Sequence, residues 1–353
     1  MAKKKPSIAF LRNIGIMMTL RCQAKCLHCV VEAGPHRTEE INIDEACNWI
    51  DQIAKYRNGY IRAISLTGGE PFYCYEKLIA IARHGAELGM IITTITNGFW
   101  AKSLSAATRT LQKVEGLKMI GISADPHHQN FIPFERVKNA ILAAKKCNIP
   151  YKIIVTSEND NYQESVDFLA RIEEISPKEN IQHVNTFPAG RASNTIKISQ
   201  DFTSEVPCQG QCEAAGAPVI FPDGRIIACI GALVALKCQH PLDLGNIRNN
   251  SLADILDKSE GNPILHGLRI WGPERLVSIV KGTFGDSIFS ERFIKDVICD
   301  PCYKIMSNRK LMAFVEQLAN DPEYIRTVAY GRYYHLNEIE MLDYLKNKNI
   351  PFL

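Results

Sequence analysis

Apolar, β-branched runs recur through the first half of the chain: IGIMMTL (14–20), IRAISLT (61–67), MIITTIT (90–96), KMIGISA (118–124), YKIIVT (151–156) and IQHVNTF (181–187). Each has the length and composition of a strand. Helical periodicity separates most of them. IDEACNWIDQIAKYR (43–57) repeats its apolar positions at Ala46, Ile50, Ile53 and Ala54 and stops at Asn58-Gly59, a C-terminal cap. YEKLIAIARHGAEL (75–88) stops at Gly89, FERVKNAILAAKK (134–146) lies between Pro133 and Pro150, and ESVDFLARIEEI (164–175) ends before Pro177. Strands alternating with helices predict a parallel sheet, because parallel neighbours need crossover connections. The sheet is either an open doubly wound one or a barrel, complete or partial. In each case the chemistry belongs at the C-terminal strand ends. There the chain places RCQAKC after the first strand, GGEP after the second, NGF after the third and DPHH after the fourth.

Past about residue 200 the rhythm changes. APVIFPDGRIIACI reads as a hairpin turning at Pro222-Asp223-Gly224, followed by helical segments at SLADILDK and PERLVSIV. The expected division is 8–200 for the core, 201–310 for a smaller cysteine-bearing unit and 311–353 for C-terminal helices.

Composition narrows the function. Among 353 residues, 46% are hydrophobic and 22% charged, and Lys plus Arg (41) barely exceed Asp plus Glu (38). Beyond Lys3-Lys4-Lys5 there is no basic run, so no nucleic-acid partner is expected. The first twenty residues imitate a secretory signal, but Arg12 and Asn13 interrupt the apolar stretch and no small-residue cleavage site follows. ACIGALVAL, the longest apolar run, is too short to span a bilayer. Twelve cysteines in a chain of this size point to cytoplasmic thiolate metal ligands, since disulfide frameworks belong to short secreted domains.

Three of those cysteines, Cys22, Cys26 and Cys29, form C-x3-C-x2-C. Structural zinc takes four ligands, usually from two short pairs. Three thiolates on a cubic four-iron cluster leave one iron open to a substrate or cofactor.

This spacing resembles that of the radical S-adenosylmethionine (SAM) enzymes, and the likeness covers roughly residues 14–192. TGGEP (67–71) matches that family's second motif after strand two. The resemblance implies a partial (β/α)6 TIM-type barrel with a smaller cysteine-rich α+β extension. It implies a [4Fe-4S] cluster on Cys22, Cys26 and Cys29 whose open iron chelates S-adenosylmethionine. Gly68 and Gly69 allow close backbone approach, with Pro71 completing the motif, and Glu70 is expected to answer the methionine amino group. Asn97 of TNGF, and Ser123 and Asp125 of ISAD, stand where the family contacts ribose and methionine. Arg191 of PAGRA is available for a carboxylate, and His28 shapes the adenine pocket through its backbone. Electron transfer into the sulfonium then releases a 5′-deoxyadenosyl radical, which abstracts a substrate hydrogen atom; the protein binds, orients and shields.

The later cysteines resemble the SPASM and twitch extensions. Cys212, eleven residues, Gly224, four residues, Cys229 fits their opening, and Cys299-x2-Cys302 closes the set. No cysteine follows Cys302, which implies one auxiliary [4Fe-4S] cluster, with zinc as the other occupant of four thiols. Cys208 is an alternative to Cys212. Cys238 is a candidate hydrogen-atom donor to a substrate radical. Cys47, Cys74 and Cys147 read as small hydrophobes.

The expected activity is radical SAM oxidation or epimerisation of a small natural product. The first motif begins at residue 22, leaving no room before it for a leader-peptide recognition domain, which disfavours a peptide. Maturation of a ribosomally made peptide by thioether or carbon–carbon crosslinking is the alternative. A non-catalytic iron–sulfur protein is a third reading, which the GGEP stretch opposes. A reductant such as flavodoxin or ferredoxin is expected as partner.

Overall fold

The computed structural model describes residues 10–11, 13–157 and 162–352. Lys3–Lys5 and the start of the expected core at residue 8 lie outside them. Six strands alternate with helices in chain order: β1 (Asn13–Met17), α1 (Ile43–Lys55), β2 (Ala63–Thr67), α2 (Tyr75–Glu87), β3 (Ile91–Thr96), α3 (Leu104–Gln112), β4 (Leu117–Ser123), α4 (Pro126–Gln129), α5 (Phe134–Lys146), β5 (Tyr151–Ser157), α6 (Tyr162–Glu173) and β6 (Ile181–Asn185). All six runs chosen from hydrophobic patterning are strands. The periodicity leaves out α3 and α4, which are held at their starts by side-chain caps: Ser103 accepts from the Ala106 N–H and Asp125 from the His128 N–H.

Neighbours are parallel and follow sequence order from β1 to β6. A doubly wound sheet reverses its order at a switch point; this one never does. Right-handed crossovers taken always in the same direction put every helix on one face, so the sheet curls into a partial barrel. The strands alternate accordingly. Ile64, Leu66, Ile92, Ile120, Ile122, Ile153 and Val155 are buried in the main core, while Thr67, Ile95, Ser123 and Thr156 line the concave side.

The second half contains β7 (Thr203–Ser204), β8 (Val219–Ile220), β9 (Arg225–Ile227), β10 (Asp243–Asn246), α7 (Leu252–Glu260), α8 (Pro263–Trp271), α9 (Pro273–Phe284), β11 (Phe293–Ile294), α10 (Cys299–Ser307), α11 (Arg309–Leu318), α12 (Pro322–Leu336) and α13 (Met341–Asn347). The expected hairpin is β8–β9, and it does not stand apart. Its β8 pairs parallel to β1, Gly15 with Val219 and Ile16 with Ile220, making one nine-stranded sheet in the order β10-β9-β8-β1-β2-β3-β4-β5-β6. An unclosed barrel leaves the outer edge of β1 unpaired, and the hairpin satisfies it. The helices of the C-terminal region are tied down by Arg269, fully buried on α8, which donates to Glu338 at 2.9 Å. No helix among the described residues is long and apolar enough to cross a membrane.

Candidate active site

Cys22, Cys26 and Cys29 sit on the irregular segment after β1. It is pinned by Cys22 N–H to Gly34 O and Gly34 N–H to Leu20 O, each 3.2 Å. Two backbone donors point at sulfur: Ala24 N–H to Cys22 Sγ at 3.4 Å and Ala33 N–H to Cys29 Sγ at 3.3 Å. Asn97 Nδ2 adds a third, 3.5 Å from Cys22 Sγ. Burial pushes the Cys22 thiol up to about 12 and raises that of Cys29. N–H groups aimed at sulfur favour thiolates bound to a cation, so this donor set fits an iron–sulfur cluster.

The GGEP loop closes directly onto this segment. Gly69 N–H donates to Thr19 O at 2.6 Å and Glu70 N–H to Arg21 O at 2.9 Å. A Cβ on Gly68 would lie 2.5 Å from Thr19 O, and one on Gly69 would collide with Arg21 O. The glycines therefore let two loops share one backbone layer, and both line the cavity beside the cysteines. Glu70 is engaged inside the protein. Its carboxylate is fully buried and is not among the cavity-lining groups, accepting from Phe72 N–H (3.0 Å), Thr96 Oγ1 (2.7 Å) and Asn97 N–H (2.8 Å). It fastens the end of β2 to the end of β3, and Pro71 starts the short turn behind it. Burial, opposed by those three bonds, raises the Glu70 carboxyl to about 7. The GGEP groups that face the cavity are its glycines.

Asn97 is likewise committed: besides its contact with Cys22, its oxygen accepts from Gln23 Nε2 at 2.9 Å and Phe99 N–H at 3.1 Å. Ser123 lines the cavity. Asp125 is fully buried, 2.8 Å from His128 Nδ1 and 3.8 Å from His28 Nε2. Burial lowers His28 to about 3, leaving it neutral. Burial also opposes charge on His128, but the Asp125 carboxylate outweighs it and raises His128 well above its usual range. The rings of His28, His127 and His128 pack together, with centroids of His127 and His128 at 4.7 and 5.0 Å from that of His28. Sequence reasoning assigned no role to His128; its only signal was the DPHH stretch after β4. Arg191 contacts the cysteine segment directly. Its guanidinium donates to Cys26 O (2.8 Å) and Ala33 O (2.6 Å), so it braces the cysteine segment.

The cavity measures about 560 Å³. Cys22, Cys26 and Cys29 line it together with Ile230, Gly231, Ala232 and Cys299 of the C-terminal region. Cys299 belongs to a second thiol group. A Cβ on Gly231 would lie 3.2 Å from Cys299 Sγ and 3.6 Å from Cys229 Sγ. Cys302, one helical turn after Cys299, is raised by burial first and then by Cys212, Cys229 and Cys299. Four buried or half-buried thiols thus converge without a disulfide, a soft donor set that fits a fully ligated cluster. Cys208 is near Cys299, as its raised thiol reflects after the effects of burial and Asp296. Cys238 is exposed, lies 3.9 Å from Met306 O near the far end of α10, and is not among the cavity-lining residues.

Residues 16–172 match the family model of the radical SAM superfamily. The chain is 24% identical over 307 residues to "Putative peptide biosynthesis protein YydG" of Bacillus subtilis (strain 168), covering 84% of this chain and 92% of that one. It is 26% identical over 199 residues to the GTP 3',8-cyclase of Listeria monocytogenes, covering 52% of this chain and 56% of the cyclase. Among solved structures, native anSMEcpe with bound AdoMet aligns with a TM-score of 0.48 at 15% identity, over 70% of this chain and 81% of that one. BtrN in complex with AdoMet and 2-DOIA aligns at 0.44 and 13%, over 74% and 88%. The C-terminal cysteine-rich region fits a SPASM-like extension. Residues 16–172 of this chain are therefore a radical SAM domain.

Proposed function

We propose that this enzyme modifies a peptide. The observation that carries the reading is the likeness to YydG, which extends over 84% of this chain, through the radical SAM domain and into the C-terminal region. It favours the peptide over the small natural product expected from sequence. The cluster and S-adenosylmethionine, when bound, supply a 5′-deoxyadenosyl radical that removes a hydrogen atom from substrate. The chain's own residues hold and shield that chemistry. Cys22, Cys26 and Cys29 would ligate the first cluster; Asn97 and the Ala24 amide donate to Cys22 Sγ and the Ala33 amide to Cys29 Sγ. Gly68, Gly69 and Ser123 offer the cofactor surface. Glu70 and Asp125 act behind it, fixing the ends of β2, β3 and β4. Cys212, Cys229, Cys299 and Cys302 would hold one auxiliary cluster, with Cys299 on the wall of the same cavity. Free thiols throughout support a reducing, cytoplasmic setting and a small reductant such as flavodoxin or ferredoxin.

The test is anaerobic. Reconstituted protein with dithionite is expected to release 5′-deoxyadenosine. Replacing Cys22, Cys26 and Cys29 with Ala should abolish that release and remove about half the iron. Replacing Cys212, Cys229, Cys299 and Cys302 should remove the other half. Release by the first variant would overturn the ligand assignment. Turnover on small polyols or sugars with none on peptides would overturn the substrate reading.

A further inference from the structure

The nine-stranded sheet ends at β10 on one side and β6 on the other. The two edges are built differently. The β10 pairing is broken by a register shift between Asp243 and Gly245, a bulge that twists an edge out of pairing geometry. The β6 strand has a regular five-residue register with β5, from Ile153–Ile181 to Ser157–Asn185. It contains no proline and no Lys, Arg, Asp or Glu over Ile181–Asn185, and Gln182 through Asn185 are exposed. Among the described residues no strand covers its outer edge. Soluble proteins blunt such an edge unless something binds there.

What lies beside it is the catalytic cavity. Gln182, Val184 and Asn185 line that cavity. Three of its apolar lining residues are also among the exposed large hydrophobics of the molecule: Ile95 at 37%, Val184 at 41% and Ile230 at 44%. They come from β3, from β6 and from the loop after β9, so an apolar surface faces the cavity from three directions.

We infer that β6 is a docking edge for an extended peptide substrate, which adds to the sheet as a further strand and turns an apolar side chain toward Ile95, Val184 and Ile230. This rests on the peptide reading above. Strand addition supplies main-chain hydrogen bonds for affinity, while alternate side chains find pockets that give specificity. It also places the Cα–H bond of the bound residue at the cavity holding the cysteines. A sugar or polyol has no use for a row of backbone N–H and C=O groups at strand spacing.

The experiment selects ten-residue peptides from a randomised display library against the reconstituted protein with S-adenosylmethionine. The selected peptide is then resynthesised with a single N-methyl amide at each position in turn. Strand pairing predicts an alternating pattern, with about tenfold weaker binding at every second amide, the equivalent of one hydrogen bond. Hydrogen–deuterium exchange should slow at residues 181–185. Val184→Asp, checked for folding by its iron content, should weaken capture about tenfold and Val184→Ile should not; if Val184→Asp fails to load iron, the N-methyl scan and exchange decide. Peptides that tolerate N-methylation throughout and leave 181–185 exchanging freely overturn this inference but leave the peptide reading standing. Failure to enrich any peptide overturns both.

Discussion

Replacing Glu70 with Gln isolates the charge of a carboxyl that the fold encloses completely. The folded carboxyl titrates at about 7 against a usual 4.5, with burial the main cause. Over that interval the native state keeps a proton that the unfolded chain has released. The stability attached to Glu70 is therefore fully present below about pH 4.5 and is lost as pH rises through 7. From these values the loss between about pH 5 and pH 8 comes to roughly 2–3 kcal/mol. Gln keeps an oxygen for the Phe72 N–H and the Thr96 hydroxyl but turns an NH₂, which cannot accept, toward the Asn97 N–H, a pH-independent cost of about 1–3 kcal/mol. On top of that constant offset, the variant should gain roughly 2–3 kcal/mol on wild type between pH 5 and pH 8. Anaerobic urea unfolding of both proteins at the two pH values measures this as a change in the difference between their midpoints. A difference that does not move with pH would show that Glu70 does not titrate in the folded protein. S-adenosylmethionine affinity, read by calorimetry on the same samples, should change little, because the carboxylate is fully buried and does not line the cavity. A large loss on so conservative a change would return Glu70 to direct cofactor contact.

Gly69→Ala should destabilise by at least about 3 kcal/mol, because the added methyl meets the Arg21 carbonyl and neither backbone can yield; a soluble variant with an unaltered urea midpoint would contradict this. Arg191→Ala removes two donors to the cysteine segment and should loosen it by about 1–3 kcal/mol. The readout is faster loss of iron to a chelator, and an unchanged rate would remove Arg191 from the support of the cluster segment. Cys238→Ala should leave iron content, 5′-deoxyadenosine release and solvent-deuterium incorporation as they are, since the thiol lies off the cavity. Loss of deuterium incorporation alone would restore the donor role.

Strand identity was legible because it is local: alternation of β-branched and polar residues specifies a strand whatever lies beside it, and all six runs of the first half obey it. The cysteine spacing was legible for the same reason, since Cys22, Cys26 and Cys29 occupy one short segment. The choice between a doubly wound sheet and a partial barrel rested on strand order, which local patterning does not encode. The positions of polar side chains near the site were decided only by tertiary structure. Glu70 sits in a cofactor-binding motif, yet its carboxylate turns inward because the Thr96 hydroxyl and the Phe72 and Asn97 amides meet there as donors. Arg191 is taken up by the Cys26 and Ala33 carbonyls, unpaired groups of an irregular segment that need donors. The sequence pairs Cys299 with Cys302 as ligands and leaves Cys238 over, without saying which of these thiols reaches the cavity. Helix α10 brings Cys299 to the cavity and leaves Cys238 outside against Met306, because which thiol reaches a site depends on how distant segments pack, and spacing along the chain carries no record of that.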